Sequence, residues 1–203
     1  MPYDCTEANA WQYTWHVLHD PAGLAAAFGG AKRFGERLDM FFTDAGRAAG
    51  SEDCPDALGN YGQYAHGNEP SHHIAYLYNW TDRPWIAGER VRDIAKRFYS
   101  TKKDGICGND DCGQMDAWYI FAALGFYPVD PCGGRYVIGA PLFPRTELSL
   151  PGGRKFTVLA NSPSGSRCRV KSAFLNGKPV KDRTVPHDAV VRGGELVFEL
   201  RGR

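Results

Sequence analysis

The sequence predicts a mainly α-helical protein with a C-terminal β segment. From about Asn9 to Phe126 the apolar residues recur at helical spacing, and after Pro128 they form short alternating runs. The dipeptide Asn176-Gly177 between two such runs is a strong signal for a β-hairpin. These observations predict helices to about residue 128, followed by a small antiparallel sheet. The corresponding domains are residues 1–130 and 131–203.

The helices are predicted from capping signals and apolar stripes. Asp20-Pro21 places a capping residue before a proline, which is typical of a helix start. Three stripes at helical spacing follow: Phe34, Leu38, Phe41 and Phe42; Val91, Ile94, Ala95 and Phe98; and Met115, Trp118, Tyr119 and Ala122. Polar, glycine-rich connections lie between them, at 45–64, 65–70 and 101–112, and connections of that length are often functional.

The strands are predicted from short runs bounded by Gly, Pro, Asn and Ser. The runs are Tyr136–Ile138, Thr146–Leu150, Lys155–Leu159, Arg169–Leu175 and Leu196–Leu200.

Composition excludes several classes of protein. With 24 Lys and Arg against 23 Asp and Glu, the net charge is +1, which argues against nucleic-acid binding. No apolar run approaches the length of a membrane span, so no membrane partner is predicted. Hydrophobic residues at 43% and aromatic residues at 13% are too abundant for a disordered chain. The N-terminal residues show no secretion signal.

Six cysteines are too few for a disulfide-stapled small domain. Cys107 and Cys112 lie close together, but no second close pair completes a zinc ribbon. We therefore expect small buried thiols, with room for one or two bridges.

The first of three polar segments runs from Cys5 to Trp15. Glu7 precedes three large aromatic residues, among which Trp11 and Trp15 are helical neighbours. This pattern fits either a capping residue before an aromatic core helix or an acid beside a platform for a sugar ring.

The second segment runs from Tyr61 to His73. Glu69 precedes Pro70, which disfavours a helical conformation at Glu69 and predicts an exposed turn, with a helix from about Ser71. A zinc site of His66, Glu69, His72 and His73 is the tempting alternative. However, Pro70 interrupts the helical register that paired histidine ligands need. We expect instead that these histidines orient the loop and form hydrogen bonds with a polar ligand.

The third segment runs from Asp104 to Tyr119. Asp110 and Asp111 lie on a glycine-flanked turn before a predicted helix, so one of them can cap the helix. Carboxylate oxygens also suit a hard cation such as calcium, although an EF-hand is excluded by the spacing. Together, Glu7, Glu69, Asp110 and Asp111 provide the separated carboxylates that glycoside cleavage requires.

Three longer motifs resemble the signature segments of glycoside hydrolase family 92, the calcium-dependent exo-acting α-mannosidases. They are Glu7-Ala8-Asn9-Ala10-Trp11-Gln12-Tyr13, the run from His66 to His73, and the run from Gly108 to Met115. The resemblance extends from end to end of the chain and keeps the order of the family. It implies the C-terminal portion of an (α/α)6 toroid followed by a small β region.

The resemblance also implies roles for individual residues. Glu7 is expected to be the general acid and Asp111 the general base of an inverting reaction. Trp11, His66, Asn68 and Glu69 are expected to bind the substrate, and Asn68, Glu69 and Asp110 to hold Ca²⁺.

The expected substrate is a terminal α-linked mannose, in α-1,2 linkage, of N-glycans or mannan. Because the resemblance covers only a C-terminal part of the family's architecture, the isolated chain is expected to be inactive. It is expected to need a missing N-terminal half, or to self-associate through an exposed apolar face. The resemblance implies export from the cytoplasm. The alternative function is a carbohydrate-binding or catalytically dead remnant.

Overall fold

The computed structural model describes residues 5–44, 58–161 and 168–202. The N-terminal part is helical, as predicted. Its elements are α1 (Ala10–Tyr13), α2 (Pro21–Ala27), α3 (Ala31–Thr43), the short strands β1 (Asn60–Tyr61) and β2 (Tyr64–Ala65), the 3₁₀ segments Glu69–Ser71 and Ile74–Trp80, α4 (Ile86–Phe98) and α5 (Gln114–Leu124).

The C-terminal part contains the remaining strands, as predicted. Its elements are β3 (Phe126–Tyr127), β4 (Arg135–Ile138), β5 (Arg145–Ser149), the 3₁₀ turn Pro151–Gly153, β6 (Lys155–Ala160), β7 (Cys168–Leu175), β8 (Lys178–Pro179), β9 (Thr184–Pro186), α6 (His187–Arg192) and β10 (Gly194–Gly202).

Local signals from the sequence are realised at α2 and at the β7–β8 hairpin. The Asp20 side chain accepts a hydrogen bond from the Gly23 amide and caps α2. Asn176 and Gly177 both have positive φ, at 48° and 75°, which is the requirement of a type I′ turn. Asn176 Oδ1 also accepts from the Glu195 amide, which joins the turn to β10.

The prediction of an antiparallel sheet is wrong in one respect. The five-stranded sheet has the order β5-β6-β10-β7-β8, and β10 runs parallel to β6 and antiparallel to β7. A second sheet has the order β3-β4-β9. Side chains alternate between faces in parallel and antiparallel strands alike, so the alternating pattern cannot reveal strand direction. The helix expected from Ser71 is also replaced by the two 3₁₀ segments.

The 3₁₀ segment Ile74–Trp80 lies at the centre of the helical part and contacts α2, α3, α4 and β4. Its residues 74–78 are fully buried. Around it, a cluster of aromatic side chains forms the first apolar core, in which Trp15 stacks on Phe28 at 5.3 Å. Trp15 therefore belongs to the core rather than to a solvent-facing platform.

A second apolar core lies between the sheets and includes Phe156, Leu196 and Phe198. The first core reaches Val137, whereas the second begins at Leu124, so the region from α5 to β4 contributes to both. The boundary near residue 130 stays a prediction. Among the described residues, no helix is both long and apolar enough to cross a membrane.

Five cysteines fall in the described ranges, and all five are free thiols: Cys5, Cys107, Cys112, Cys132 and Cys168. Only Cys168 among them is buried, so the expectation of buried thiols is met at one position. Cys54 and most of the predicted connection 45–64 lie outside the described residues.

Candidate active site

Glu7 lies on an exposed turn that is fixed to the second polar segment. Its φ of 55° is in the left-handed region, which is uncommon for a residue with a side chain and marks a conformation imposed by its surroundings. The Glu7 carbonyl oxygen accepts a 2.8 Å hydrogen bond from Asn68 Nδ2. Next along the chain, Asn9 and Gln12 form a capping box that starts α1, and Gln12 Nε2 donates to the Gln63 carbonyl.

Asn68 joins two candidate site residues through its own side chain. The amide is buried, with Nδ2 bonded to the Glu7 carbonyl and Oδ1 accepting from the Glu69 amide. Glu69 itself is exposed, as predicted, but it begins the 3₁₀ segment Glu69–Ser71 and does not lie on the non-helical turn that Pro70 predicts. The hydrogen bonds of Asn68 therefore hold the backbone of Glu7 and that of Glu69 next to each other.

The third segment presents Asp111 on a left-handed turn before α5. Asp111, Cys112 and Gly113 have φ values of 47°, 58° and 90°. Asp110 Oδ1 accepts a hydrogen bond from the Asp116 amide in the first turn of α5, whose N-cap residue is Gly113. The side chain of Asp111 is exposed.

His72 connects the third segment to the second. Its Nδ1 atom lies 3.0 Å from Gln114 Nε2, and its carbonyl oxygen accepts from Trp118 Nε1 at 3.0 Å. Burial lowers the pKa of His72, whereas the hydrogen bond with the His66 carbonyl and, to a smaller extent, the charge of Asp111 raise it. All three polar segments therefore meet around residues 66–73, as a shared site requires.

The expectation that His66 binds substrate is corrected by the structure. The ring is fully buried, and its nitrogens lie 2.7 Å from the Tyr64 hydroxyl and 2.8 Å from the Tyr99 hydroxyl. It also packs edge-on against Trp118 at 4.4 Å. With both nitrogens bonded and no exposed face, His66 orients the loop and has no group left for a sugar.

The zinc alternative is not supported in the described part of the chain. Nε2 of His72 and Nε2 of His73 each face a backbone carbonyl, of His66 and Trp15 respectively, which cannot donate a hydrogen bond. The described ranges contain no group of three or more His, Cys, Asp or Glu side chains placed to hold a metal. These histidines are structural hydrogen-bond donors.

We expect stability to fall in mild acid, because His73 is held neutral in the fold. Burial lowers its pKa from 6.5 to about 4, against a smaller opposing effect of the bond to the Trp15 carbonyl; His16 and His72 lower it further. Between pH 6.5 and 4 the unfolded chain therefore binds a proton that the folded chain does not. His73 should therefore contribute roughly 3 kcal/mol to the decrease in the free energy of unfolding across this window.

Urea unfolding at pH 7 and pH 4.5 measures this effect. His73→Gln keeps a donor for the Trp15 carbonyl but does not titrate, so its stability should depend less on pH than that of the wild type. His19→Gln, at an exposed position, is the control. Equal pH dependence in wild type and His73→Gln would contradict the assignment.

A cavity of about 250 Å³ opens beside Glu69, between the 69–73 turn, α5 and the segment 127–131. We call it the Glu69 cavity. Its apolar wall is formed by Trp118, Phe121 and Tyr127, and Gln114 lines it from the first turn of α5. Glu7 and Asp111 are not among its lining residues, so this cavity adds a second region to the candidate site.

The profile of the "Glycosyl hydrolase family 92 catalytic domain" matches residues 1–202. The chain belongs to glycosyl hydrolase family 92.

Two solved structures of family 92 proteins from Bacteroides thetaiotaomicron resemble the chain closely. One is a family GH92 α-mannosidase in complex with mannoimidazole; it is 38% identical, with a TM-score of 0.88, and the match covers 98% of this chain and 26% of that protein. The other is described as a family GH92 inverting mannosidase; it is 37% identical, with a TM-score of 0.79, and the match covers 96% of this chain and 27% of that protein.

A curated relative from Arthroderma benhamiae is described as an "Uncharacterized secreted glycosidase". It is 27% identical over 197 residues, which are 96% of this chain and 23% of that protein. The chain thus spans about a quarter of the length of its family 92 relatives.

The predicted calcium ligands suit a hard cation in chemical type, since all are carboxylate or amide oxygens. By themselves they do not complete a metal site, because the described residues contain no group of three or more His, Cys, Asp or Glu side chains placed to hold a metal ion. Asn68 Oδ1 already accepts from the Glu69 amide and Asp110 Oδ1 from the Asp116 amide, whereas the Glu69 carboxylate is exposed. Within the described ranges Glu69 is therefore the best placed of the three.

Sequence reasoning missed Gln114 and Tyr127 as residues that line a cavity of this family 92 chain, whereas His73 was already a candidate for a hydrogen bond with a polar ligand. Gln114 stands in the motif that ends in Met115, but its position suggested only a helix start. Tyr127 and His73 reach the cavity through packing of separate elements. No local sequence pattern predicts that arrangement.

Proposed function

We propose that this chain forms the C-terminal part of the active site of an exo-acting, inverting α-mannosidase that releases mannose from N-glycans or mannan. The observation that carries the proposal is the end-to-end family match combined with the meeting of three polar segments around residues 66–73. The description of one relative as an α-mannosidase with bound mannoimidazole, and of another as inverting, supports it.

Glu7 acts as the general acid and Asp111 as the general base in this proposal. Both carboxylates are exposed on turns at helix starts, where a glycan can reach them. An inverting enzyme needs one carboxyl group to protonate the leaving oxygen and another to activate water. Trp11, which is half-buried with its ring 6.4 Å from that of Phe41 and beneath the Arg37 guanidinium, is proposed to offer an aromatic surface to the sugar.

Glu69, with Asn68 and Asp110, is proposed to hold a calcium ion near the bound sugar. When bound, calcium supplies a positive charge that binds sugar hydroxyls and favours a distorted ring. The chain's own contribution is to fix Glu69 through the amide of Asn68, which also sets the position of Glu7.

We further propose that residues 1–130 form half of an (α/α)6 toroid and that 131–203 pack on it as the small β region. An N-terminal half of the protein completes the ring against this one. Ile120 on α5 is 55% exposed although the helix is apolar almost throughout, as expected for a helix with a further packing partner.

Export of the protein is proposed from the secreted relative.

Mannose release by the chain, completed with the N-terminal part that its relatives contain, tests the function. We expect α-1,2-mannobiose to be hydrolysed faster than the α-1,3 and α-1,6 isomers, with β-mannose as the first anomer seen by NMR. A chelator should abolish release, and Ca²⁺ should restore it. The α anomer as first product would refute inversion. Full activity in the chelator would refute the calcium assignment, and sugar binding without any turnover would favour the inactive remnant.

A further inference from the structure

A pair of hydrogen bonds determines which nitrogen of His72 carries the proton. Nε2 lies 2.9 Å from the His66 carbonyl oxygen, which can only accept, so Nε2 must be the protonated nitrogen. Burial lowers the pKa of His72 to about 4, so the ring is neutral near pH 7. Nδ1 then keeps its lone pair and can only accept a hydrogen bond.

This tautomer fixes the direction of the Gln114 amide. Oxygen and nitrogen of an amide are otherwise assigned only from their surroundings. Because Nδ1 of His72 accepts, the partner 3.0 Å away must be the NH₂ group of Gln114. The amide oxygen Oε1 is consequently directed away from His72. Burial raises the pKa of Tyr127, and a side-chain hydrogen bond with Gln114 partly offsets this effect; both residues line the Glu69 cavity.

The Glu69 cavity has the surfaces that one sugar ring needs. Phe121 and Tyr127 give it an apolar wall, whereas Glu69 and Gln114 are polar residues in its lining. Its volume of about 250 Å³ lies below the roughly 300–1,000 Å³ typical of pockets for drug-sized ligands. The cavity therefore suits a monosaccharide unit rather than a longer oligosaccharide.

We propose that Gln114 binds a hydroxyl group of a mannosyl unit in the Glu69 cavity through Oε1, and that His72 is the positioning residue that sets the direction of its amide. This inference rests on the proposed function for the identity of the sugar. It assigns a specificity role to Gln114 that is separate from the acid and base chemistry of Glu7 and Asp111.

Calorimetric titration of the chain with α-1,2-mannobiose tests the role of Gln114. Gln114→Ala removes one hydrogen bond to the sugar, so its dissociation constant should rise about tenfold. Tyr119→Phe, which removes a hydroxyl from the same helix outside the cavity lining, should bind as the wild type does. Unchanged affinity in Gln114→Ala, or no binding by the wild-type chain, would overturn the inference.

Two substitutions of His72 separate positioning from structural support. His72→Asn can place an acceptor where Nδ1 stood, whereas His72→Gln can place a donor where Nε2 stood. We expect sugar affinity to be retained better in His72→Asn, even where both variants lose thermal stability equally. Better affinity in His72→Gln would contradict the positioning role.

Turnover by the completed protein distinguishes failure of the inference from failure of the proposed function. In Gln114→Ala we expect KM for mannobiose to rise about tenfold, with kcat changed much less. An active wild type with an unchanged KM in the variant refutes the inference alone. A wild type that binds mannobiose without cleaving it, and loses binding in Gln114→Ala, refutes the proposed function alone.

Discussion

Glu7→Gln is expected to lower the hydrolysis of α-1,2-mannobiose by about 10³-fold, because the amide cannot donate a proton to the leaving sugar. The turn should keep its shape, since the hydrogen bond from Asn68 is made to the Glu7 backbone rather than to its side chain. The measurement is kcat/KM of the protein completed with the N-terminal part of its relatives.

Substrates with different leaving groups separate the two carboxylates. Mannosyl fluoride needs little protonation to depart, so Glu7→Gln should cleave it almost as fast as the wild type. Asp111→Asn lacks the group that activates water and should lose activity on both substrates. Asp188→Asn, an exposed site on α6, is the control for a carboxyl-to-amide change. Equal losses on both substrates in Glu7→Gln would contradict its assignment as the acid.

Gly62→Ala is expected to lower the free energy of unfolding by about 3 kcal/mol or more. Gly62 has a φ of 62°, and a Cβ atom there would lie 2.6 Å from the Phe41 carbonyl oxygen and from the Phe42 carbonyl carbon. These are backbone atoms at the end of α3, which a side-chain rotation cannot move away. The neighbouring Gln63 amide donates to the Phe41 oxygen, so the turn closes directly on that helix.

Gly177→Ala is the matched control for this substitution. Its φ of 75° carries a similar backbone strain, but a Cβ atom would meet nothing within 4 Å. Chemical denaturation of both variants should show a loss of about 1 kcal/mol at Gly177 and a clearly larger loss at Gly62. If the two variants lose the same stability, backbone overlap at Gly62 is not the cause.

The sequence predicted much of the fold because its signals are local. The α2 cap and the type I′ turn at Asn176-Gly177 depend on a few adjacent residues, so they can be read without knowing the rest of the chain. The parallel pairing of β10 with β6 depends on strands far apart in sequence, and neither strand carries a mark of its direction.

In the candidate site, too, features that depend on adjacent residues could be predicted, whereas features that depend on distant residues could not. The exposed position of Glu69 was predicted from Pro70, its direct neighbour in the sequence. The burial of His66 could not be predicted, because its two partners, Tyr64 and Tyr99, reach the ring from different elements.

By itself the sequence determined the change from helices to strands near residue 128, the α2 cap and the Asn176-Gly177 turn, and the three polar segments that carry the family's motifs. Only the tertiary structure decided that these segments meet around His72, that His66 is sealed in the core, and that Gln114 enters a cavity. The physical reason is that hydrogen bonding and burial between distant residues depend on how the whole chain packs, whereas capping and turn formation depend on neighbouring residues.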